Sequence, residues 1–493
     1  MERSANEKYD IIIIGGGIYG IMLALESGFR NKRALLLERD DFGGATTFNH
    51  LRTLHGGLRY LQSMGLRRFF ESVQERKWFF MHYPQLSEVL PCLMPLYGKG
   101  LHRNPILKVA LLMNDFLSYK RNTFVIPERY LSSGQVVSAE STKKIFPNVE
   151  YEGLKGGAIW YDGTMSEHQR LVIEILHWAC EMGATALNYV NVNGLLTQNN
   201  TTIGVKATEE SGNKVDFFAP VVINATGPWS REIARSFDRD YPSLFVTRVL
   251  NWNILFKKKA LSDHAIAVTP LKGAGHTYFI HNWKNRMLVG TGEELITDSH
   301  SNNFPTEQQI HLFIKDLNLA IPELSLGMDD IEHIYSGILP GTSKGKLAKR
   351  EAIIRHKDHG GPKGFFSLSG VKFTTSRLVA EKTLNLIFPE ILPKTPQFPA
   401  PSQGDQRNRA IYNYDWMPSG NDKKWLLILK QLIEDESVIH LDDLLFRRTS
   451  LGENSQRVSK ILPQIRSLFT WTDLRWEREI DRIIHHTSPQ EEK

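Results

Sequence analysis

An α/β fold, in which a parallel sheet is interrupted by an inserted antiparallel sheet and followed by a helical C-terminal segment, is what this sequence predicts. Three observations predict it. A short β-branched run, Ile11 to Ile14, leads through glycines into a helix-like stretch and a second apolar run, Ala34 to Leu37, which is the order of a β–α–β unit with strands buried on both faces. A similar run, Val221 to Asn224, returns much later, so the domain is split by inserted material. Finally, Trp416 to His486 is helical in pattern and rich in both signs of charge.

The first unit carries the chemistry. Gly15, Gly17 and Gly20 have the G-x-G-x-x-G spacing. In that spacing the first glycine permits a tight turn, the second admits a pyrophosphate to the backbone, and the third lets the helix pack on the strand. The helix N-terminus adds free N–H groups and a positive dipole end. Glu38 closes the second strand eighteen residues beyond Gly20, where an acid accepts hydrogen bonds from an adenosine ribose. Strand, glycines, helix, strand and acid in this order predict a dinucleotide site. They do not say which dinucleotide.

At 493 residues the chain buries a sizeable core and has length for two or three domains. Hydrophobic residues at 41% and charged residues at 23% are ordinary globular values, which exclude extensive disorder. Two cysteines, Cys92 and Cys180, give no disulfide framework and no metal-ligand set. They are expected to be packing residues in a reducing, cytoplasmic setting. The polar octet before Tyr9 leaves no room for a cleaved signal peptide, and no apolar run reaches the ~18 residues that span a bilayer. A net charge of +6 suits anionic substrates or an acidic membrane surface without arguing for nucleic acid.

Behind Glu38 lie Thr46 and Thr47, then Arg52, Leu54, His55, Gly56, Gly57, Leu58, Arg59 and Tyr60. Hydroxyls and polar groups beside glycines suit a phosphate-bearing ligand; a surface turn followed by a helix is the other reading. Leu66 to Tyr83 predicts a helix of mixed charge. Ile106 to Tyr119 predicts an apolar helix opened by Pro105, with Arg103, Lys108, Lys120 and Arg121 about it. Such a helix is either buried or an interfacial membrane anchor. Gly163 to Gly183 reads as a helix capped by Ser166, and Leu187 to Val192, Ile203 to Ala207 and Val215 to Phe218 as strands. Val221 to Asn224 then runs into Ala225, Gly227 and Pro228, a second place where backbone meets the dinucleotide. Strand-like runs dominate from Arg248 to Gly292, and a helix follows over Thr306 to Leu317. Phe365 to Ser369 is a strand meeting Gly370, Lys372, Phe373 and Thr374 at a helix start. Amides there face an anionic ligand edge, or form a bare turn. Prolines from Pro389 to Pro401 mark a linker.

Taken together these stretches resemble the FAD-dependent glycerol-3-phosphate dehydrogenases, a branch of the DAO-type flavoprotein oxidoreductases. The resemblance rests on Gly15–Gly20 with Glu38, on His55-Gly56-Gly57-Leu58-Arg59-Tyr60-Leu61, and on Asn224-Ala225-Thr226-Gly227-Pro228-Trp229. Gly370-Val371-Lys372-Phe373-Thr374-Thr375 and Leu441 to Thr449 complete it. It implies a glutathione-reductase-like FAD-binding Rossmann domain, an antiparallel-sheet substrate domain and a C-terminal helical domain. The FAD parts are expected at 1–90, 161–235 and 346–390, with a cap insertion at 91–160. The substrate domain is expected at 236–345, and the linker and helical domain at 391–493.

The resemblance also implies roles. Gly15, Gly17, Ile18, Tyr19, Gly20, Glu38, Thr46, Thr47, Arg52, Leu54, Ala225, Gly227, Gly370, Lys372, Phe373 and Thr374 would hold FAD, with Val192 meeting the adenine by its backbone. His55, Arg59, Tyr60, Arg350 and Lys372 would serve the substrate or the flavin edge, His55 as candidate base. The implied reaction is oxidation of a CH–OH carbon by hydride transfer to flavin. The implied substrate is a small anion such as glycerol 3-phosphate, with a quinone or another electron acceptor. A homodimer and a peripheral surface on the inner face of the cell membrane are further expected partners; nucleic acid is not. Two departures bear on the substrate. Leu339 stands where the family places a phosphate-binding arginine, and Asn253 where it places a histidine. A leucine cannot reproduce a bidentate arginine–phosphate contact. Lys344, Lys346 and Lys349 are candidate replacements for the lost charge. A different hydroxy acid, polyol phosphate or amine, or a flavin-binding module without catalysis, are the alternative readings.

Overall fold

In a computed structural model, residues 7–62, 64–98, 103–236, 247–270, 276–296, 303–342, 345–396, 398–401, 424–453 and 455–487 are described. Lys344 and part of the expected linker and C-terminal segment lie outside them. The chain forms two compact units, one from 1–48, 167–247 and 340–493, the other from 49–166 and 248–339.

In the first unit, strand β1 (Ile11–Ile14), helix α1 (Ile18–Gly28) and strand β2 (Ala34–Leu37) form as the sequence predicts. Four consecutive β-branched side chains suit a strand covered on both faces, and all four isoleucines are buried. β1 pairs in parallel with β2 and with Val221–Asn224, Ile11 lying opposite both Ala34 and Val221. The complete sheet runs Ala352–Arg355, Phe365–Ser369, Val221–Asn224, β1, β2, Thr185–Leu187. Only the Ala352–Arg355 edge is antiparallel. The sheet is therefore closed by strands far apart in sequence, as the split pattern requires.

A second, antiparallel sheet of Val190–Gln198, Thr201–Glu209 and Lys214–Phe218 adds Val192, Val205, Ala207 and Phe217 to the core around Ile12, Leu35 and Val222. The strand expected over Leu187 to Val192 is two strands instead. Tyr189 takes a left-handed backbone (φ 56°) and breaks the run. The C-terminal helices Lys424–Asp435, Ser455–Ile465 and Asp473–Thr487, with a π-helical turn Asp443–Arg448, enclose their own core of Leu429, Leu441, Leu445, Ile461 and Ile465.

The second unit is a nine-stranded sheet. Its path is Ile331–Gly341, Thr247–Phe256, Arg286–Ile296, Tyr278–Trp283, Ala265–Val268, Ser87–Leu96, Gly156–Met165 and Thr53–Leu54, with Gln135–Val137 added beside Gly156–Met165. Helix Glu307–Ala320 lays Ile310, Phe313, Ile314 and Leu317 on Trp252, Ile254, Ile280 and Val289. Its start is fixed by a reciprocal cap, in which Gln309 N donates to Thr306 Oγ1 and Thr306 N to Gln309 Oε1.

Two further expectations need correction. The helix expected from Gly163 with Ser166 as cap is His168–Glu181, with Glu167 at the N-cap. Gly163 to Met165 instead complete a strand, because Gly163 pairs with both Leu54 and Val89 and those ladder bonds hold the backbone extended. Helix Leu66–His82 forms as expected, with Glu75 and Arg76 of its charged residues buried. Of the two cysteines only Cys92 is buried; Cys180 is exposed.

Truncation of Phe313 to Ala is expected to destabilise the second unit by about 3–5 kcal/mol. The check is chemical unfolding of variant and parent, read as a loss of that size.

Candidate functional site

The first cluster lies in the first unit, where β1 ends. Gly15 has φ +105°, a conformation natural only to glycine, and its amide donates to Leu37 O at 2.8 Å. A Cβ there would press on the Ala225 carbonyl at 2.9 Å, so the turn after β1 lies directly on the turn after Val221–Asn224. Gly17 is the N-cap of α1 and makes no side-chain cap bond. Ile18 N donates to Thr47 Oγ1 at 3.0 Å, which brings the helix α2 (Ala45–Phe48) to the start of α1. The first-turn amides of a helix lack intrahelical partners and favour an anion.

Glu38 accepts from Gly16 N at 2.5 Å and from Asp40 N at 2.9 Å. Burial raises its carboxyl above the usual range, against the pull of these two amides. Tyr19 reaches in the other direction. Its hydroxyl donates to Lys372 O at 2.7 Å and accepts from Lys372 N at 2.9 Å. Its ring lies where a side chain at Gly370 would stand, so a residue other than glycine there would unseat the tyrosine. Burial pushes the Tyr19 phenol well above its ordinary pKa. Ser369 Oγ donates to Gly227 O at 2.9 Å, and open space faces Gly227. Gly370, Lys372, Phe373 and the buried Thr374 form the approach to helix Ser376–Ile387. The Ser376 hydroxyl is buried with no partner among the described residues. Val192 sits beside a bulge in its strand, and Arg350 is exposed ahead of Ala352–Arg355. A turn of small residues, the N-terminus of α1 and a strand-end acid fit the pyrophosphate and ribose of FAD.

The second cluster lies in the second unit. His55 Nδ1 is 3.3 Å from Asp162 Oδ2, while Asp162 Oδ1 accepts from Gly56 N at 2.7 Å and Arg76 Nη1 at 2.9 Å. Trp160 Nε1 donates to Asp162 Oδ2 at 3.3 Å. Burial alone would raise the Asp162 carboxyl. The His55 ring, the Arg76 guanidinium and the Gly56 amide outweigh it and hold the pKa down to about 2. His55 itself keeps 56% of its side chain exposed. In the tautomer that donates from Nδ1 to this carboxylate, Nε2 is the acceptor, with no hydrogen bond among the described residues. The Phe279 and His55 ring centres lie 5.9 Å apart in an edge-on arrangement. His281 lies beyond it with Nε2 2.9 Å from Leu51 O, and burial lowers its pKa to about 4, so it is neutral near pH 7.

Of the residues given roles from the sequence, the second unit thus holds His55, Arg59, Tyr60, Arg52 and Leu54, together with the two departures Asn253 and Leu339, and the first holds the other assigned residues. Arg52 is fully buried, its guanidinium 4.3 Å from the Tyr335 ring centre, and Leu54 is a buried strand residue paired with Gly163. Arg59 is exposed on helix Leu58–Gln62 and makes no hydrogen bond or ion pair among the described residues. Tyr60 carries the Arg68 guanidinium 4.5 Å from its ring centre. Asn253 is buried, accepting from Thr291 Oγ1 at 3.3 Å. Sequence reasoning missed Asp162, Arg76, Trp160 and His281. An acid inside the apolar run Ile159-Trp160-Tyr161-Asp162 was the available signal, since a buried charge requires partners.

Replacing Asp162 with Asn is expected to flatten the acid limb of stability. The carboxyl's folded pKa lies below the unfolded value of about 4, so its contribution is complete above that value and is lost as pH falls towards about 2. Unfolding midpoints of parent and variant should therefore differ most above pH 4 and converge below pH 2.

Comparison with known proteins identifies the family. The family model described as FAD dependent oxidoreductase matches residues 10–386. Glycerol-3-phosphate dehydrogenase of Synechocystis sp. is 29% identical over 419 residues, covering 81% of this chain and 73% of that one. The mitochondrial glycerol-3-phosphate dehydrogenase of Bos taurus is 28% identical over 77% of this chain, which spans only 52% of that enzyme's length. Among solved structures, glycerol-3-phosphate dehydrogenase from Bacillus halodurans complexed with FAD superposes with a TM-score of 0.74 at 19% identity. That match covers 100% of this chain and 97% of the other. L-proline dehydrogenase from P. horikoshii shares the fold over 78% of this chain and 95% of its own, with a TM-score of 0.55 at 19% identity. On the family match over most of its length, the chain belongs to the FAD-dependent oxidoreductases of the DAO family, related to the glycerol-3-phosphate dehydrogenases, and its cofactor is FAD.

Proposed function

We propose that this oxidoreductase oxidises the hydroxyl-bearing carbon of a small anionic substrate, with glycerol 3-phosphate the first choice, and passes the electrons to a quinone or another acceptor. The observation that carries the reading is the His55–Asp162–Arg76 cluster. Asp162, kept ionised by Arg76, orients His55 so that Nε2 takes the substrate hydroxyl proton as the C–H bond breaks. When bound, FAD supplies the acceptor for the hydride. Arg59, exposed and without an ion-pair partner among the described residues, attracts the substrate's charge. Lys372 and Arg350 are the further cations of the reading; the Tyr19 hydroxyl holds the Lys372 backbone in place.

Leu339, in strand Ile331–Gly341, favours a second reading in which the substrate is not glycerol 3-phosphate but another hydroxy acid, a polyol phosphate or an amine. Anaerobic mixing with glycerol 3-phosphate separates the two. Bleaching of the flavin absorbance supports the first, and an unchanged spectrum with bleaching by another hydroxy acid or amine supports the second. Bleaching by none of these would leave a flavin-binding module. In whichever reaction is found, Arg59→Ala is expected to lower kcat/KM at least tenfold with FAD content unchanged. Unaltered kinetics would contradict the assignment.

We propose an anionic membrane surface as a further partner. Helix Asn104–Leu117 buries Leu107 and Leu111 and leaves Val109, Leu112 and Phe116 exposed, Phe116 by 79%. The exposed Lys108 and Lys120 lie on and beside it. Apolar side chains with basic neighbours suit the interface of an acidic bilayer. No helix among the described residues is long and apolar enough to cross a membrane. Co-sedimentation with anionic vesicles at low salt is expected for the parent and lost in Leu112→Glu/Phe116→Glu; equal recovery of both would contradict it.

A further inference from the structure

The loop Asp41–Phe48 is held from the far end of the chain. Arg448, in the π-helical turn Asp443–Arg448, is buried and forms two bonds to Asp41, Nη1 to Oδ2 at 2.5 Å and Nη2 to Oδ1 at 2.8 Å, across 407 residues. Asn188 Nδ2 donates to the same carboxylate at 2.9 Å and to Ser437 O at 3.0 Å. From Asp41 the connection runs straight to the cofactor turn. The Phe42 ring abuts Gly16, and Gly43 N donates to Gly16 O at 2.9 Å. Further along, Thr47 Oγ1 accepts from Ile18 N. At the loop's end the Arg447 guanidinium lies 4.2 Å from the Phe48 ring centre, beside Gly44. Arg447 makes no hydrogen bond or salt bridge among the described residues, while the Asp41, Asp442 and Asp443 carboxylates act on its guanidinium at longer range.

We infer that the Asp443–Arg448 turn is a clasp for FAD, in which Arg448 and Arg447 are positioning residues that hold Asp41–Phe48 in the shape the cofactor requires. Asp41 is anchored by a paired, bidentate contact, the geometry a guanidinium makes best with a carboxylate. Phe48 is anchored by a cation on its ring. Between these anchors lie Gly43, which fixes the Gly16 carbonyl, and Thr46 and Thr47, which the resemblance places along the FAD path. A loop pre-set in its bound shape spares the cofactor the entropy of ordering it. FAD affinity is thereby coupled to docking of the C-terminal helices.

The test is titration of apoprotein with FAD, followed by flavin fluorescence, alongside thermal unfolding of the same apoprotein. Uptake by the parent controls for FAD binding itself. Arg447→Ala breaks no direct salt bridge among the described residues and is expected to raise the FAD Kd at least threefold and hasten release, with a smaller effect on the apoprotein midpoint. Arg447→Lys, which keeps a cation near Phe48, is expected to fall between it and the parent. Arg448→Met is expected to weaken binding further, but it strands a buried carboxylate, so Arg447→Ala decides. A Kd within threefold of the parent would overturn the proposal, as would a loss of affinity matched by an equal loss of apoprotein stability.

Discussion

The approach of backbone to backbone at Gly15 is the constraint on which the rest depends. Its left-handed turn and its close approach to the Ala225 carbonyl bring two chain segments, far apart in sequence, against each other at the C-terminal ends of the two central strands of the parallel sheet. Only there can α1 start with its amides at the strand end. The remaining elements of the first unit secure that start. Tyr19 ties α1 to the Lys372 backbone, Thr47 ties it to α2, and Glu38 ties the second strand to Gly16. Each tie uses hydrogen bonds to main-chain groups, so the turn is specified by shape as much as by side-chain chemistry.

The second unit is organised around a charge instead. Asp162 is buried and ionised, and a carboxylate in that position persists only with its partners in place. Arg76, Gly56, Trp160 and His55 supply them. Three of these stabilise the anion from within the fold, while His55 is left half outside it. The same electrostatic balance that stabilises the unit therefore also presents an oriented imidazole.

How much was legible in advance follows from which interactions are local. The β–α–β unit was readable because Ile11 to Glu38 contains both its strands, its glycines and its acid. The split sheet was readable because Val221 to Asn224 repeats the apolar pattern. The resemblance located the histidine and glycine motifs. Asp162 and Arg76 were not legible, because their meaning lies in a contact 86 residues apart in sequence and each reads locally as an ordinary strand or helix residue. Tyr189 misled the strand assignment, since a left-handed tyrosine leaves no compositional trace. The pairing of Asp41 with Arg448 was equally hidden, although Leu441 to Thr449 had been recognised as a motif.

The central claim is that this turn, with its ties to Glu38, Thr47 and Lys372, is built for FAD. It is tested most directly by denaturing the purified protein and identifying the released cofactor by chromatography. The account predicts FAD at about one per chain, or uptake of that amount when FAD is added to cofactor-depleted protein. A folded protein that releases no flavin and takes up none, or that carries a nicotinamide dinucleotide instead, would contradict it.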